Sequence, residues 1–534
     1  MRIWRAVVCG TLLAWQAVAA PAIAERGVVN AASNIAPGLP NYGIARGSLF
    51  LVKGSGFGEG ASVSVTIGDQ TLSAPVVKVV DGTQITARLP LETPNGDGTV
   101  TVTYAEETSA AAPIKVVDRA FGIFTTTGGM AVTLPAVTPA QPAQAGQALT
   151  LYGTGLGEGD IEVWVGSKQA TVTNKGASGG EGLDAVGFAY APGTAGLEQI
   201  DIQVPEGAQG CRVPVVVRTG NVVSNFAGIP VMPQGGACAD ASGLGADDYG
   251  RVLTSGGTYK IGSVTLSRSS SKVTAQGQTV ESKADSASAS FQQIETSVLA
   301  ANLGYLNQTA MGACTVVTFV GKLEDIPQVK VTYLDAGASL SLTGPKGAKS
   351  LEKKKDDKGA WAGNYFVDLG TSMTIPGVQL PPGLPGIPGL PAAGGYLDAG
   401  DYRVTAPGAE VGAFTANLKI PEPLTWTNQD KITEVDRGSG LTIEWTGGDP
   451  NSFVYMNGTS FDGTAIAMFY CSERASANTF TVPAVVLLSL PASSGALGGM
   501  LSVSNTVQAK FTASNLDLGL ISSSVSSQKS VVFK

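Results

Sequence analysis

The chain has 534 residues, with 34 basic and 42 acidic side chains, 70 glycines and 29 prolines. It contains no histidine, which excludes imidazole-dependent triads and imidazole-ligated metal sites. The acidic balance excludes the basic footprint that non-specific nucleic-acid binding needs.

Residues 1–24 read as an export leader. Arg2 and Arg5 give a basic start, AVVCGTLLAWQAVAA is an apolar core too short for a good membrane span, and Ala22-Ile23-Ala24 is a small-residue cleavage site. Cleavage there starts the mature chain near Glu25, with 32 basic and 42 acidic side chains and a net charge of −10. No later run of about 18 apolar residues follows, so no transmembrane segment is expected. The predicted location is secreted, periplasmic or cell-surface. Four cysteines survive cleavage: Cys211, Cys238, Cys314 and Cys471. An even number in an exported chain predicts two disulfides, with three connectivities open; Cys211–Cys238 closes the shortest loop. None of the spacings is CxxC, so a metal or redox motif is not expected.

VKGSGFGEG (52–60) returns as LYGTGLGEG (151–159). A dinucleotide-binding loop needs a strand, G-x-G-x-x-G and then a helix. Counting from Gly54 and Gly56 puts Glu59 at the third glycine position; counting from Gly153 and Gly155 puts Glu158 there. The segments that follow, ASVSVTIGD (61–69) and DIEVWVGSK (160–168), alternate polar and apolar residues with the period of a strand. Gly54, Gly56, Gly58, Gly153, Gly155 and Gly157 are therefore predicted as structural turns, and no cofactor is expected. QITARLP (84–90) matches QIDIQVP (199–205), and GTVTVTY (98–104) matches CRVPVVV (211–217) in pattern. A repeat of about 100 residues made of short strands has the size of an immunoglobulin-like sandwich. Asn95-Gly96-Asp97-Gly98 gives a hairpin signal inside the first copy.

The stretches GVVNAASNIAPGLPNYGIARGSLFLVKGSGFG (27–58), FGIFTTTGG (121–129), AGQALTLYGTGLG (145–157) and VPVVVRTGNVVSN (213–225) resemble the tandem IPT/TIG-like module common in secreted acidobacterial (Solibacter-type) proteins. The resemblance covers about 27–232. It implies two immunoglobulin-like sandwiches and carries no characterised function with it.

PQGGACADASGLGAD (233–247) reads as a linker. Beyond it, YKIGSVTLSRSSSKVTAQGQTV and ADSASASFQQI (284–294) are strand-like, and ETSVLAANL (295–303) reads as a short helix. YLDAG occurs at 333–337 and 396–400, each time leading into an alternating run. Asp335 and Asp398 are expected to close strand-ending turns on their own backbone; one carboxylate per turn is poor provision for calcium. PGVQLPPGLPGIPGLP (376–391) reads as an exposed polyproline loop, with too few triplets for collagen. KGAKSLEKKKDDKGAW (346–361) reads as a solvated hairpin end. LTIEWTGG (441–448), SFVYMNG (452–458) and AIAMFYCSE (465–473) read as sandwich strands, with Trp445 as core.

The predicted fold is all-β: sandwiches at 25–118 and 119–235, a β-rich domain at 236–420 with the proline-rich loop, and a sandwich-like domain at 421–534. GASGG (176–180) matches a nucleophile elbow in letters, but that motif needs a histidine, so Ser178 is read as loop. Glu434 and Asp436 do not establish a carboxylate pair. Trp361, Tyr365, Tyr396 and Tyr402 would contact a ligand if exposed and are ordinary core if buried. These features point to a non-enzymatic exported binding or scaffold protein whose partner is a protein or polysaccharide at the cell exterior. The alternative is an extracellular carbohydrate-active protein with a carboxylate-based site in 236–420.

Overall fold

The computed structural model describes residues 20–179, 193–234, 236–240, 243–253, 257–275, 278–301, 309–321, 330–354, 363–374, 395–494 and 498–534. Trp361, the core of the predicted leader and the proline-rich loop lie outside these residues. Strands dominate; the α-helices among the described residues are the short Ala246–Leu253, Thr296–Ala301 and Ala484–Leu487. The chain is all-β.

In the first sandwich, the sheet ordered Ala22–Asn30, Leu49–Ser55, Gln84–Arg88, Val76–Val80 faces a second sheet. That second sheet runs Ile44–Ala45, Ala112–Val117, Gly96–Tyr104, Ser62–Ile67, Gln70–Ala74. Alternation sets the faces. In SVSVTI (62–67), Val63, Val65 and Ile67 turn inward against Phe50, Val52, Ile85, Val100 and Val102. The second sandwich repeats the plan over Leu149, Leu151, Val163, Val165, Ile200, Ile202 and Val215. Its strand Lys168–Ala177 pairs with both Ile161–Val165 and Glu198–Gln203, across a register shift between Val172 and Asn174, and so joins the two layers.

The repeat extends to single hydrogen bonds. Val102 N donates to Ser109 Oγ (3.0 Å), and that hydroxyl donates to Ala110 O (2.9 Å). Val217 N donates to Ser224 Oγ (2.9 Å), and that hydroxyl donates to Asn225 O (2.8 Å). Each serine closes the hairpin after the copy's longest apolar strand.

Asn95-Gly96-Asp97-Gly98 is not a hairpin turn. Gln84–Arg88 belongs to one sheet and Gly96–Tyr104 to the other, so residues 89–95 carry the chain across the sandwich and Gly96, Asp97 and Gly98 already begin the second strand. A side chain at Gly98 would overlap the Thr66 carbonyl, so its glycine serves close strand approach.

Both glycine loops run from strand to strand: Leu49–Ser55 to Ser62–Ile67, and Ala148–Thr154 to Ile161–Val165. Gly54 and Gly153 lie inside strands, where a Cβ would strike Ala22 O and Gly122 O respectively. Gly58 lies against the Tyr104 ring. Gly56, Gly155 and Gly157 have φ of 73°, 93° and 64°, a region that glycine enters without strain. At Gly155 the demand is double, because a Cβ would also lie 2.5 Å from Ala120 O.

Gly155 borders the seam between the sandwiches. Asn30, buried, donates through Nδ2 to Ala120 O (2.9 Å) and Thr154 O (3.2 Å), and accepts from Ala32 N and Ser33 N. Thr154 Oγ1 accepts from Leu49 N (2.8 Å) and donates to Gly196 O (2.6 Å). Around them Val29, Leu49, Leu51, Phe124, Val132, Tyr152 and Leu197 make a core of their own.

The described residues beyond the second sandwich build a 14-stranded sheet and a separate three-stranded one. Thr258–Ala275 pairs antiparallel with Gln278–Glu295 on one side and parallel with Leu518–Phe533 on the other. Ala313–Val320 pairs with Ala465–Arg474. Strands from both sides of the 420/421 boundary thus interleave in one hydrogen-bonded layer. Two cores cover it: one centred on Phe291, Leu340, Tyr365, Tyr402 and Phe414, and another on Trp445, Phe469, Phe480, Val503 and Phe533 under the small sheet Leu424–Trp426, Leu441–Gly447, Thr479–Val482.

The units pack against one another. Val216 and Val223 of the second sandwich enter the Trp445 core, and Ala310 and Ala313 complete the core of the second sandwich. Asn41 accepts from Val223 N (3.2 Å) and donates to Leu488 O (3.4 Å), tying three segments.

Asn30→Ala and Gly155→Ala are each expected to destabilise the sandwich pair by about 2–4 kcal/mol, through buried carbonyls left unpaired in one case and backbone overlap in the other. A lowered first transition in calorimetry of the whole chain checks this; an unchanged thermogram for both removes the seam from the account.

Candidate functional site

Three of the four aromatics singled out as ligand contacts if exposed are core; the fourth, Trp361, lies outside the described residues. Tyr365, Tyr396 and Tyr402 are 0%, 4% and 2% exposed, which selects ordinary core over ligand contact for these three. Tyr365 Oη donates to Gly337 O (2.7 Å), Tyr396 Oη to Gly347 O (2.5 Å) and Tyr402 Oη to Asp398 O (2.9 Å). Burial holds the Tyr365 and Tyr402 hydroxyls up at about 12. Among the described residues the exposed large apolar side chains are Val77, Leu91 and Val532, none of them aromatic.

The two YLDAG turns differ. Asp335 accepts from Gly337 N (2.8 Å), as expected of a turn aspartate, and also pairs with Lys353 (2.9 Å). Those partners, the backbone amide first, hold its carboxyl below the usual range. Asp398 instead pairs with Lys346 (2.8 Å) and lies 3.8 Å from Arg268. Arg268 makes a bidentate pair with buried Asp285 (2.8 and 2.7 Å), whose second oxygen also accepts from Leu397 N (2.8 Å). That carboxylate is fully engaged. Glu434 pairs with Lys534 (2.5 Å), and Asp436 caps its own turn at Gly438 and Ser439. Among the described residues no cluster of three His, Cys, Asp or Glu groups is arranged to hold a metal. Ser178 sits in a buried loop position, with its amide donating to Leu197 O. Trp445 is core, donating to Ala475 O (2.8 Å).

Cys211 is bonded to Cys238, and Cys314 to Cys471. The first bond changes the reading of 233–247 as a linker. Cys238 N donates to Pro139 O, Asp240 N donates to Leu244 O, and the segment is pinned against the second sandwich. Cys314 and Cys471 are direct cross-strand partners.

Beside the Cys211–Cys238 bond the structure forms a cleft of about 270 Å³. Three elements make it: the end of Gly210–Thr219, the helix Ala246–Leu253, and the sheet strands through Ile261, Ile294 and Leu520. The helix starts because Asp248, in its first turn, accepts from Gly245 N (3.0 Å). Its apolar side then presents Tyr249 and Val252 to the sheet. Asp248 Oδ1 also accepts from Tyr259 Oη (3.0 Å), and Arg251 lies over the Tyr259 ring.

At the end of the cleft, Asp240 accepts from Cys211 N (2.8 Å) and from Tyr249 Oη (2.5 Å). Arg212 donates from Nε to Gly128 O (3.3 Å). No carboxylate among the described residues lies within ion-pair distance of Arg212. Burial pushes the Asp240 carboxyl and the Tyr249 hydroxyl up and the Arg212 guanidinium down. Sequence reading missed this site, because its parts lie at 128, 212, 240–261, 294 and 520. The one local signal is an arginine inside an otherwise apolar strand, CRVPVVV.

The IPT/TIG domain family model matches residues 37–115, within the first sandwich. No curated protein matches the chain. A solved Bacteroides ovatus mixed-linkage glucan utilization locus protein, SGBP-B, in complex with a mixed-linkage heptasaccharide, is similar at 15% identity and TM-score 0.21. The similarity covers 36% of this chain and 44% of that one, so this chain spans less than half of that relative. Domains 5–6 of the S-layer protein SbsC match at 14% identity and TM-score 0.20, over 40% of this chain and 99% of that one. SGBP-B from a complex xyloglucan utilization locus in Bacteroides uniformis matches at 12% identity and TM-score 0.17, over 66% and 86%.

Replacing Cys211 and Cys238 by alanine opens a 27-residue loop. The loss is expected at about 3–4 kcal/mol by loop-closure entropy, read as a lower denaturation midpoint. A midpoint that stays in place would mean that the non-covalent contacts of Asp240 and Tyr249 hold the segment alone.

Proposed function

We propose that the protein is an exported, non-enzymatic scaffold that holds immunoglobulin-like surfaces and sandwich-end loops rigidly toward a partner outside the cell. The observation that carries this reading is the closed junction between units. Asn30 and Thr154 stitch the two sandwiches, Asn41 stitches both to the C-terminal body, and the Cys211–Cys238 bond pins the chain where it leaves the second sandwich. Buried hydrogen bonds at a junction fix one relative orientation, because swinging the units apart leaves polar groups unpaired. The resemblance of 27–232 to the tandem module of secreted acidobacterial proteins, and the leader-like pattern of 1–24, support an exported setting; cleavage after Ala24 would remove the two rungs that Ala22 and Ile23 make with Ser55 and Gly54 and leave the rest of that strand in place. Residues 25–118 and 119–235 are the tandem pair; 236–420 and 421–534 act as one supporting body. The partner is a surface protein or a polysaccharide. For the carbohydrate-active alternative, the least exposed carboxylate among the described residues of 236–420 is Asp285, and Arg268 and Leu397 N already engage it.

Two measurements test this. Small-angle scattering of the secreted chain should give a radius of gyration of about 24–28 Å, near that of a compact chain of its length; a value above about 35 Å would describe a flexible string and remove the rigid reading. An array of surface proteins and polysaccharides, including mixed-linkage glucan and xyloglucan, should show retention with no release of shortened glycan. Shortened products would establish the carbohydrate-active alternative instead.

A further inference from the structure

We propose that the cleft between Arg212 and the helix Ala246–Leu253 is a binding site for a small apolar carboxylate. The site stands apart from the scaffold surfaces above and does not rest on them. Its walls are the side chains of Tyr249, Val252, Ile294, Leu299, Leu518 and Leu520. They enclose about 270 Å³, room for about nine groups of the size of water, which fits an aromatic ring with a short chain.

The polar groups decide the chemistry. Asp240 spends one oxygen on Cys211 N and the other on Tyr249 Oη, and Asp248 spends its two on Gly245 N and Tyr259 Oη. Tyr249 and Tyr259 spend their hydroxyl protons on those carboxylates. Every titratable group lining the cleft therefore has its partner inside the fold, with one exception. Arg212 lines the cleft, uses Nε on Gly128 O, and leaves its two terminal amines without a hydrogen-bond acceptor among the described residues. A guanidinium in a mostly apolar wall is costly unless an acceptor meets it, and its planar pair of amines matches a carboxylate in two parallel bonds. Asp240 lowers the local positive charge without reaching ion-pair distance. The carboxylate is therefore drawn by paired N–H donors, and the affinity comes from the apolar body.

The probes are 4-phenylbutyrate and its neutral counterpart 4-phenyl-1-butanol, added to the full mature chain carrying labelled methyl groups. The expected result is saturable shifts at Val252, Ile261, Ile294 and Leu520, with the acid binding at least fivefold more tightly than the alcohol. Arg212→Gln should remove that preference and leave alcohol binding in place, and Leu299→Trp should block both. Equal binding of acid and alcohol to the unaltered chain would overturn the proposal, as would shifts confined to other methyls, or none up to millimolar concentration. Should Arg212→Gln fail to fold, the acid-to-alcohol ratio and the location of the shifts in the unaltered chain decide the matter alone.

Discussion

Twelve consecutive residues of Thr258–Ala275 run beside Leu518–Phe533 in parallel register, from Ile261 opposite Leu518 to Lys272 opposite Lys529. The partners are separated by more than 250 residues of chain. The 14-stranded sheet is organised around this pairing. Gln278–Glu295 extends the sheet on one side, and Gly499–Phe511 extends it on the other. The same long strands feed two cores: Ile521 and Phe511 are buried near Phe414, while Val531, Phe533 and Val503 are buried near Trp445. Neither stretch, 236–420 or 421–534, closes its apolar surface without strands from the other. So many non-local pairings also make for slow folding, because loop-closure entropy must be met before the contacts form.

The N-terminal half follows another logic. Each sandwich buries its own alternating strands and closes its last long hairpin with a serine, Ser109 or Ser224. What joins the copies is a polar centre set in a small apolar core of its own. Asn30 and Thr154 form a small buried network in which side-chain and backbone groups satisfy one another. Such a network specifies one geometry because a shifted one strands its members.

Much of the first half was legible in the sequence, because alternation in SVSVTI and IEVWV, and glycines between strands, are local signals. The hairpin reading of Asn95–Gly98 failed for a physical reason: a glycine pair favours close strand approach as much as it favours a tight turn, and letters do not separate the two. The second half was legible as strands but not as topology. SRSSSK and SSSVSSQKS carry almost no apolar alternation, and nothing local tells residue 263 that it will lie opposite residue 520. Tyr365, Tyr396 and Tyr402 show the same limit from another side. Their flanks are mixed, with Phe366 and Leu397 beside two of them and Asp401 and Arg403 around the third, and only the assembled sheet buries them. The Arg212 cleft was invisible because five separate segments build it.

The cross-strand pairing also has a mechanical meaning. A pull along the axis of Leu518–Phe533 loads its bonds to both long neighbours in shear, many at once, where a pull across them would open the ladder one rung at a time. The Cys314–Cys471 bond ties the strand Ala313–Val320 to its neighbour at the far side of the same sheet, so the layer resists tearing at that margin as well. A protein built this way bears tension as a plate does, and passes force between its flanks with little stretch.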